Sequence, residues 1–555
     1  MKNLMLKRIY LVPIALLLFA APLWAPYCEV LKGRRLFLTA DSMIWLGGAL
    51  LAGFLWQFLP CLTVGLIDRS LPRIRQYATW LMLLLIPATL AGLFYLNQQV
   101  LHAFMNSADE HSCLFLAECL RLGRLWVEPP PLSEFFNVVH VGNKGGHWFS
   151  VYPPGWPLFL ALALEWNLRD WINPVITVLA LFFLYLSGRK VYGGHVAFLS
   201  LLLLVFTPFF AFTGAGYFSH NTCLLMMAIL TYAFLRWRAA PSEQQRLIWA
   251  ALAALALGYG LITRYLTMAV FALPLVVFVL KPVVMRKEKL RAEHWLVLAI
   301  VLIFFAVIFY QNYTVTGKLH KAPNRYDKSW ERLGFKDDYT PVDGIIFIFA
   351  RAFYLMDWAP PVYLILYLAT FFQKRDQTFE ERFLQWAFFL PVAGYFLYFS
   401  WGGNQYGPRY YYEGFPFMMM AMLDGVRHWW RRDETLRKFL LGVFVVSLVT
   451  SAFYFDKHGR YFEVASWERK ALYALAEEQL QKPAIVFIRG MFIGQTLVMS
   501  QDDAIRNDPL LRGKVVYARD MGEKNQELRA YFPHREFYIG YFDRELRKAF
   551  LEKMP

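Results

Sequence analysis

The chain is poor in charge. Of its 555 residues only 18% are Asp, Glu, Lys or Arg, and 58% are hydrophobic, whereas a soluble globular domain carries about 25% charged residues. That excludes an ordinary soluble enzyme. Cysteine is scarce as well: Cys28, Cys61, Cys113, Cys119 and Cys223 are odd in number and lack metal-ligand spacing. Cys113 and Cys119, six apart on a predicted helix, are too far apart for a disulfide without rearrangement. There is no internal repeat, no low-complexity tract and no nucleotide-binding fingerprint.

What the chain has instead is apolar runs of about the twenty residues needed to cross a bilayer. They are continuous, without the alternation of a membrane β-barrel, so the spanning element is the helix. The net charge of +16 would suit a nucleic-acid partner, but the Lys and Arg residues sit in short loops between spans, as the positive-inside rule requires. No nucleic acid is expected. Lys2, Lys7 and Arg8 precede an apolar run to about Trp24, which reads as an uncleaved anchor in preference to a signal peptide, although Leu23-Trp-Ala25 resembles a cleavage site. Further spans are expected at about 42–66, 77–98, 171–187, 195–212, 219–236, 247–262, 265–281, 294–313, 360–373, 383–400, 409–424 and 437–454. Basic loops alternate: 69–75, 188–190, 236–238, 281–291, 374–375 and 427–432. About thirteen helices, N-terminus inside and C-terminus outside, satisfy that alternation. Lys32, Arg34 and Arg35 go against it and are outvoted.

Three regions follow. Residues 1–75 hold two additional spans, 76–455 a transmembrane core whose external loop is 99–170, and 456–555 a charged segment with β-type runs at 484–488, 515–517 and 537–539. The last is expected to be a small external α/β domain. The stretches 148–166 and 340–358 are half-apolar and suit the outer interface.

Chemistry is expected on the external loop. Asp109 and Glu110 follow the third span directly and open the helical pattern Cys113 to Gly123. A carboxylate beside hydrocarbon is a stronger base than a free one, which suits removal of a proton from a hydroxyl. Against this stands the plain alternative of two hydrated loop residues.

The acidic pair, the Tyr152-Pro-Pro-Gly-Trp-Pro157 return to the membrane, the Gly188-Arg-Lys-Val-Tyr-Gly193 loop and the late Tyr406-Gly-Pro-Arg-Tyr-Tyr-Tyr-Glu-Gly-Phe-Pro416 stretch together resemble the GT-C glycosyltransferase superfamily. The similar branch holds protein O-mannosyltransferases and the aminoarabinose transferases of lipid A. The resemblance spans about residues 75–455. It implies a sugar donor carried on a polyprenyl phosphate, an acceptor hydroxyl on a lipid, glycan or protein, and inversion by direct displacement, with Asp109 as base and Glu110 assisting. It also implies a multi-pass protein of a bacterial inner membrane, N-terminus cytoplasmic and C-terminal domain periplasmic. The missing nucleotide fingerprint agrees with a lipid-linked donor.

A departing lipid phosphate gathers negative charge and needs fixed cations. Arg409 leads, because a guanidinium fork matches phosphate; Arg264, between two apolar runs, is second, and Lys144 and His147 follow. For all four the alternative is an interfacial anchor or a solvated loop. Tyr152, Trp156 and Trp148 offer faces for sugar, as does Tyr410, although interfacial aromatics are routine. His220, on an outward loop, is a candidate substrate contact whose plain alternative is a core histidine hydrogen-bonded to a neighbour, and Glu413 is expected to pair with Arg409 or to bind substrate at the acceptor. Arg351 and Asp357 are weaker candidates, and residues 316–341 suit a lid. Asp109, Glu110, His111 and Glu118 are types that could donate to a divalent cation, the one cofactor left open, but three convergent ligands are needed. The rival readings are a transporter or flippase of a lipid-linked glycan, which lacks the expected paired repeats, and a non-catalytic scaffold.

Overall fold

In a computed structural model of the chain, the described residues are 11–20, 39–58, 62–286, 289–327, 333–336, 339–403, 405–489, 491–493, 496–499, 505–543 and 545–555. The basic N-terminal residues, the Lys32–Arg35 cluster, Cys28 and Cys61 lie outside them.

Helices dominate. In chain order they are α1 (Leu11–Phe19), α2 (Ala40–Trp56), α3 (Leu62–Tyr95), α4 (Ala108–Arg121), then a hairpin of β1 (Val141–Lys144) and β2 (His147–Ser150). There follow α5 (Gly155–Glu165), α6 (Arg169–Val191), α7 (Gly194–Val205), α8 (Pro208–Ala215), α9 (His220–Arg238), α10 (Glu243–Val284) and α11 (Ala292–Thr316). After these come α12 (Pro323–Asp327), α13 (Pro341–Leu355), α14 (Pro361–Thr370), α15 (Phe379–Trp386), α16 (Phe389–Phe396), α17 (Phe415–Trp430) and α18 (Glu434–Gln479). Among the described residues five helices are long and apolar enough to cross a membrane, or six if α7 and α8, bent by 72° at Phe206-Thr207, make one span. Most of the other expected crossings fall on shorter or broken helices, while 219–236 falls on unbroken α9, 19 residues long, whose polar end residues His220, Asn221, Arg236 and Arg238 lower its mean hydropathy. Pro208 explains the break at α8, since proline cannot continue the helical ladder of α7.

Two boundaries differ from the sequence reading. The basic stretch Arg69–Arg75 is helical within α3, because Ser and Arg interrupt the apolar pattern without any strong helix breaker except Pro72. The expected spans 247–262 and 265–281 belong to α10, interrupted only at Arg264, whose φ of −145° and ψ of 81° are non-helical. The turn there is sharp. A Cβ on Gly260 would lie 2.7 Å from the Met268 side chain, although a straight helix would separate residues eight apart by about 12 Å. Arg264 is thus the apex between two helical arms.

The C-terminal segment holds a two-stranded antiparallel sheet of β4 (Met491–Ile493) and β5 (Thr496–Met499) and a four-stranded sheet in the order β6-β3-β7-β8, with β3 (Ala484–Ile488), β6 (Val515–Arg519), β7 (Glu536–Asp543) and β8 (Lys548–Lys553). β3 is parallel to both neighbours, and β7 and β8 are antiparallel. The three β-type runs fall on β6, β3 and β7. Helix α18 runs 46 residues without a break, so the expected span 437–454 and the sheet domain share one rigid rod. The domain is also fixed sideways. Phe115, Leu116 and Trp148 of the loop after α3 form one buried cluster with Phe487, Ile505 and Val516. Each such side chain contributes roughly 1.5–3 kcal/mol, which holds loop and domain on the same side of the bundle. At the other flank α2 lies close against α18: a Cβ on Gly53 would stand 2.8 Å from Phe439, and one on Gly442 2.6 Å from the Ala52 carbonyl. Small residues are what allow such an approach.

Candidate functional site

The acid-bearing helix is set by its own first turn. Ser107 is the N-cap of α4, its hydroxyl accepting from the Glu110 amide, while the Glu110 carboxylate accepts from the Ser107 amide at 3.1 Å. This is a capping box. The other Glu110 oxygen accepts from the Tyr217 amide at 2.8 Å, and the side chain is buried. Burial raises the Glu110 pKa against the lowering effect of those amides. Glu110 therefore faces backbone, away from open space. Asp109, one residue earlier and about 100° round the helix, points the other way, into a cavity of about 320 Å³.

That cavity collects most of the expected residues. Asp109, Tyr152, His220, Arg264, Arg409 and Tyr410 all line it. Arg409 Nη1 donates to Asp109 Oδ2 at 3.3 Å, and the Tyr152 hydroxyl donates to Asp109 Oδ1. Burial would push the Asp109 carboxyl up, but the charges of Arg409 and His140 and the two hydrogen bonds hold it far below the usual carboxylate range. The expectation of a strengthened base is thereby corrected for the resting site: proximity to hydrocarbon is outweighed by a guanidinium in contact. Burial, then the charge on Asp109, pushes the Tyr152 phenol well up, so it stays a donor.

Arg409 is placed by a constrained loop. Its amide donates to the Gly402 carbonyl at 3.1 Å, and Gly407 two residues earlier has φ of +85°, where a Cβ would come within 2.9 Å of Phe209 and 3.0 Å of Trp358. The Arg409 guanidinium lies 4.5 Å over the Phe218 ring. Arg264 enters from the apex of α10. It donates to the Tyr395 hydroxyl at 2.7 Å and makes an ion pair of 2.9 Å with fully buried Glu413. His220 Nδ1 lies 3.0 Å from the same Glu413 oxygen, as expected of a histidine held by a neighbour. Glu413 thus pairs with Arg264 instead of Arg409. The two residues are four apart, but a 3-10 turn at Arg409–Tyr411 ends before α17 begins, so they do not share a helical face.

Other expected residues stand apart. Lys144 donates to the Tyr326 carbonyl at 3.1 Å, and His147 contacts the Val315 carbonyl at 3.0 Å while stacking on Trp126; neither lines the cavity. Trp156 is buried in the bundle core. Arg351 donates to the carbonyls of Tyr395, Ser400 and Trp401, which shapes the loop before Arg409, and Asp357 pairs with Lys457 at 3.1 Å. From the expected lid, residues 322–325 and Leu333 line the cavity, while 328–332 and 337–338 lie outside the described residues. Among the described residues no three His, Cys, Asp or Glu side chains converge as metal ligands.

Sequence reasoning missed His140, Ser219, Gln311 and Tyr395, which also line the cavity. Tyr395 stacks on Tyr410 with ring centroids 4.0 Å apart. Nothing distinguishes it within an aromatic-rich span. The role of Glu110 was readable, since Ser107-Ala-Asp-Glu110 is a capping-box spacing.

Residues 157–310 match the sequence model of a family described as dolichyl-phosphate-mannose-protein mannosyltransferase. No curated protein matches the chain. Among solved structures, ArnT from Cupriavidus metallidurans bound to undecaprenyl phosphate is similar over 83% of this chain and 93% of its own, at 12% identity and a TM-score of 0.50. The oligosaccharyltransferase AglB from Archaeoglobus fulgidus, in complex with an inhibitory peptide and a dolichol-phosphate, aligns over 84% of this chain and 70% of its own, at 9% identity and a TM-score of 0.42. In fold the chain is similar to the ArnT structure.

Proposed function

We propose that this chain is an integral membrane glycosyltransferase that moves a sugar from a polyprenyl phosphate to an acceptor hydroxyl on a lipid, glycan or protein at the outer face of a bacterial inner membrane. The observation that carries the reading is the Asp109–Arg409 pair in the wall of one cavity. A base and a phosphate-binding cation must meet there for direct displacement with inversion.

The resting ion pair suggests an order of events. The donor phosphate competes with Asp109 for Arg409, and Arg264 adds a second guanidinium for the charge that grows as the lipid phosphate departs. As Arg409 turns to phosphate, Asp109 loses its main counter-charge and becomes a better base. It then takes the proton of the acceptor hydroxyl as that oxygen attacks the anomeric carbon, and the lipid phosphate leaves with the bonding pair. Tyr152 keeps the carboxylate oriented. Tyr395 and Glu413 hold Arg264 in position, and stacked Tyr410 offers the sugar a face.

Supplying membranes with radiolabelled polyprenyl-phosphate sugars tests this. Transfer should be present in the parent and slowed by at least about 100-fold in Asp109→Asn and Arg409→Ala. Equal transfer by both variants would remove the assignment.

A further inference from the structure

A second cavity, of about 570 Å³, opens at the other end of the bundle between α3, α7, α17 and α18. Arg427, at its mouth, lies twelve residues past Phe415 on α17, which sets it about 18 Å along the helix axis from the turn that carries Arg409. The two cavities share no lining residue.

Its chemistry is divided. Leu199, Leu203, Leu423 and Phe444 form apolar walls, and the mouth carries Arg75, Arg427, Arg431 and His195. The lining holds one carboxylate, Asp68, and that is already paired with Arg437 at 2.9 Å and accepts from the Trp430 indole at 2.9 Å. Arg427 is tied to buried Asp424 at 2.5 Å. Arg75 and Arg431 are exposed, with no carboxylate partner among the described residues. Cation is therefore in excess at the rim of an apolar hollow, and these arginines belong to the basic stretches 69–75 and 427–432, whose recurrence along the chain is the signature of a cytoplasmic face.

We infer that this cavity binds an anionic glycerophospholipid of the cytoplasmic leaflet, its phosphate at Arg75 and Arg431 and an acyl chain along Leu199, Leu203 and Phe444. A free phosphate would leave the apolar walls unused, and a zwitterionic lipid would leave the arginine excess unanswered. The volume falls within the roughly 300–1,000 Å³ of ligand sites. The site does not depend on the sugar-transfer reading.

The test uses the full-length protein in nanodiscs with a photoactivatable phosphatidylglycerol, challenged by unlabelled lipids. Label should map to peptides of α7 and α17 and be competed by phosphatidylglycerol but not by phosphatidylcholine. The double variant Arg75→Ala/Arg431→Ala should take up about twenty-fivefold less label, at about fivefold for each arginine facing an anionic surface. Leu199→Trp fills the hollow without changing charge and should reduce labelling too, and Arg75→Lys/Arg431→Lys should restore most of it. Equal competition by phosphatidylcholine, or undiminished labelling in both the alanine and tryptophan variants, would overturn the site. Stronger competition by polyprenyl phosphate than by phosphatidylglycerol would overturn the choice of lipid. Sugar transfer at the parental rate in the alanine variant is expected, and it separates this site from the outer cavity.

Discussion

Removing the Arg409 charge should make Asp109 titrate at a higher pH. The two groups approach to 3.3 Å, and unit charges about 4 Å apart at an effective dielectric near 20 interact by ~4 kcal/mol. The Asp109 side chain is 27% exposed, so solvent screens part of this and leaves ~2–3 kcal/mol, or roughly two pH units in the carboxyl. In the parent, protonation of Asp109 lies far below the usual range, so the free enzyme's acid limb of kcat/KM does not come from it. In Arg409→Ala the Asp109 titration itself should move upward by roughly two pH units and add an acid limb that the parent lacks, the rise held to that size because His140 and Tyr152 still favour the carboxylate. The sign for stability follows the same logic. A depressed carboxyl stabilises the fold above its unfolded pKa, and that contribution is lost as pH falls toward the folded value. At neutral pH Arg409→Ala should also slow transfer by about 10²–10³, as loss of a fixed transition-state charge does, and Asp109→Asn by about 10²–10⁴ with no acid limb of its own. The assay is transfer from a labelled polyprenyl-phosphate sugar in membrane vesicles across a pH series. An Arg409→Ala profile that superimposes on the parent would refute the reasoning.

Three further outcomes are expected. Glu110→Ala removes a helix cap and leaves the Tyr217 amide without its acceptor, so thermal unfolding in detergent should show a loss of about 2–3 kcal/mol; a variant as stable as the parent would free Glu110 for chemistry. Burial and the neighbouring charge of Asp508 push Glu118 up to about 7, so the folded state pays for ionising it as pH rises from its unfolded value through 7. Glu118→Gln should accordingly match the parent at low pH and exceed it by about 1–2 kcal/mol above pH 7, measured by melting at several pH values; a constant difference would count against that environment. Gly407→Ala forces a side chain into a left-handed backbone position against Phe209 and Trp358, costing about 1–3 kcal/mol. Its kinetic mark should be a raised KM for the donor, as Arg409 is displaced, and an unchanged KM would separate the loop from phosphate binding.

The helical class and the β-runs were legible because each rests on a pattern repeated along the chain. Apolar length marks spans, and alternate basic loops mark one face. Asp109, Arg264 and Arg409, which line one cavity, stand out in the sequence as candidates because charge at a span end is rare. What escaped depends on three-dimensional pairing. Nothing local says that Glu413 reaches across to Arg264, since that choice is made by where one helix ends and another begins. Nor can a sequence weigh burial against a counter-charge 300 positions away, and that balance decides whether Asp109 rests as a strong or a weak base. The Ser107–Glu110 box is the instructive exception. Two adjacent carboxylates look interchangeable, but the helix start that the sequence encodes directs one inward to the backbone and turns the other to the cavity. The same capping turn joins Asn106 to the rest of the protein, its carbonyl accepting from Arg469 at 3.0 Å and from Gln405 at 2.9 Å. A residue of α18 and a residue of the Arg409 loop thus hold the turn that aims Asp109. The long helix that carries the C-terminal sheet is therefore part of what positions Asp109, and the boundary at 456 divides the chain by composition, not by mechanics.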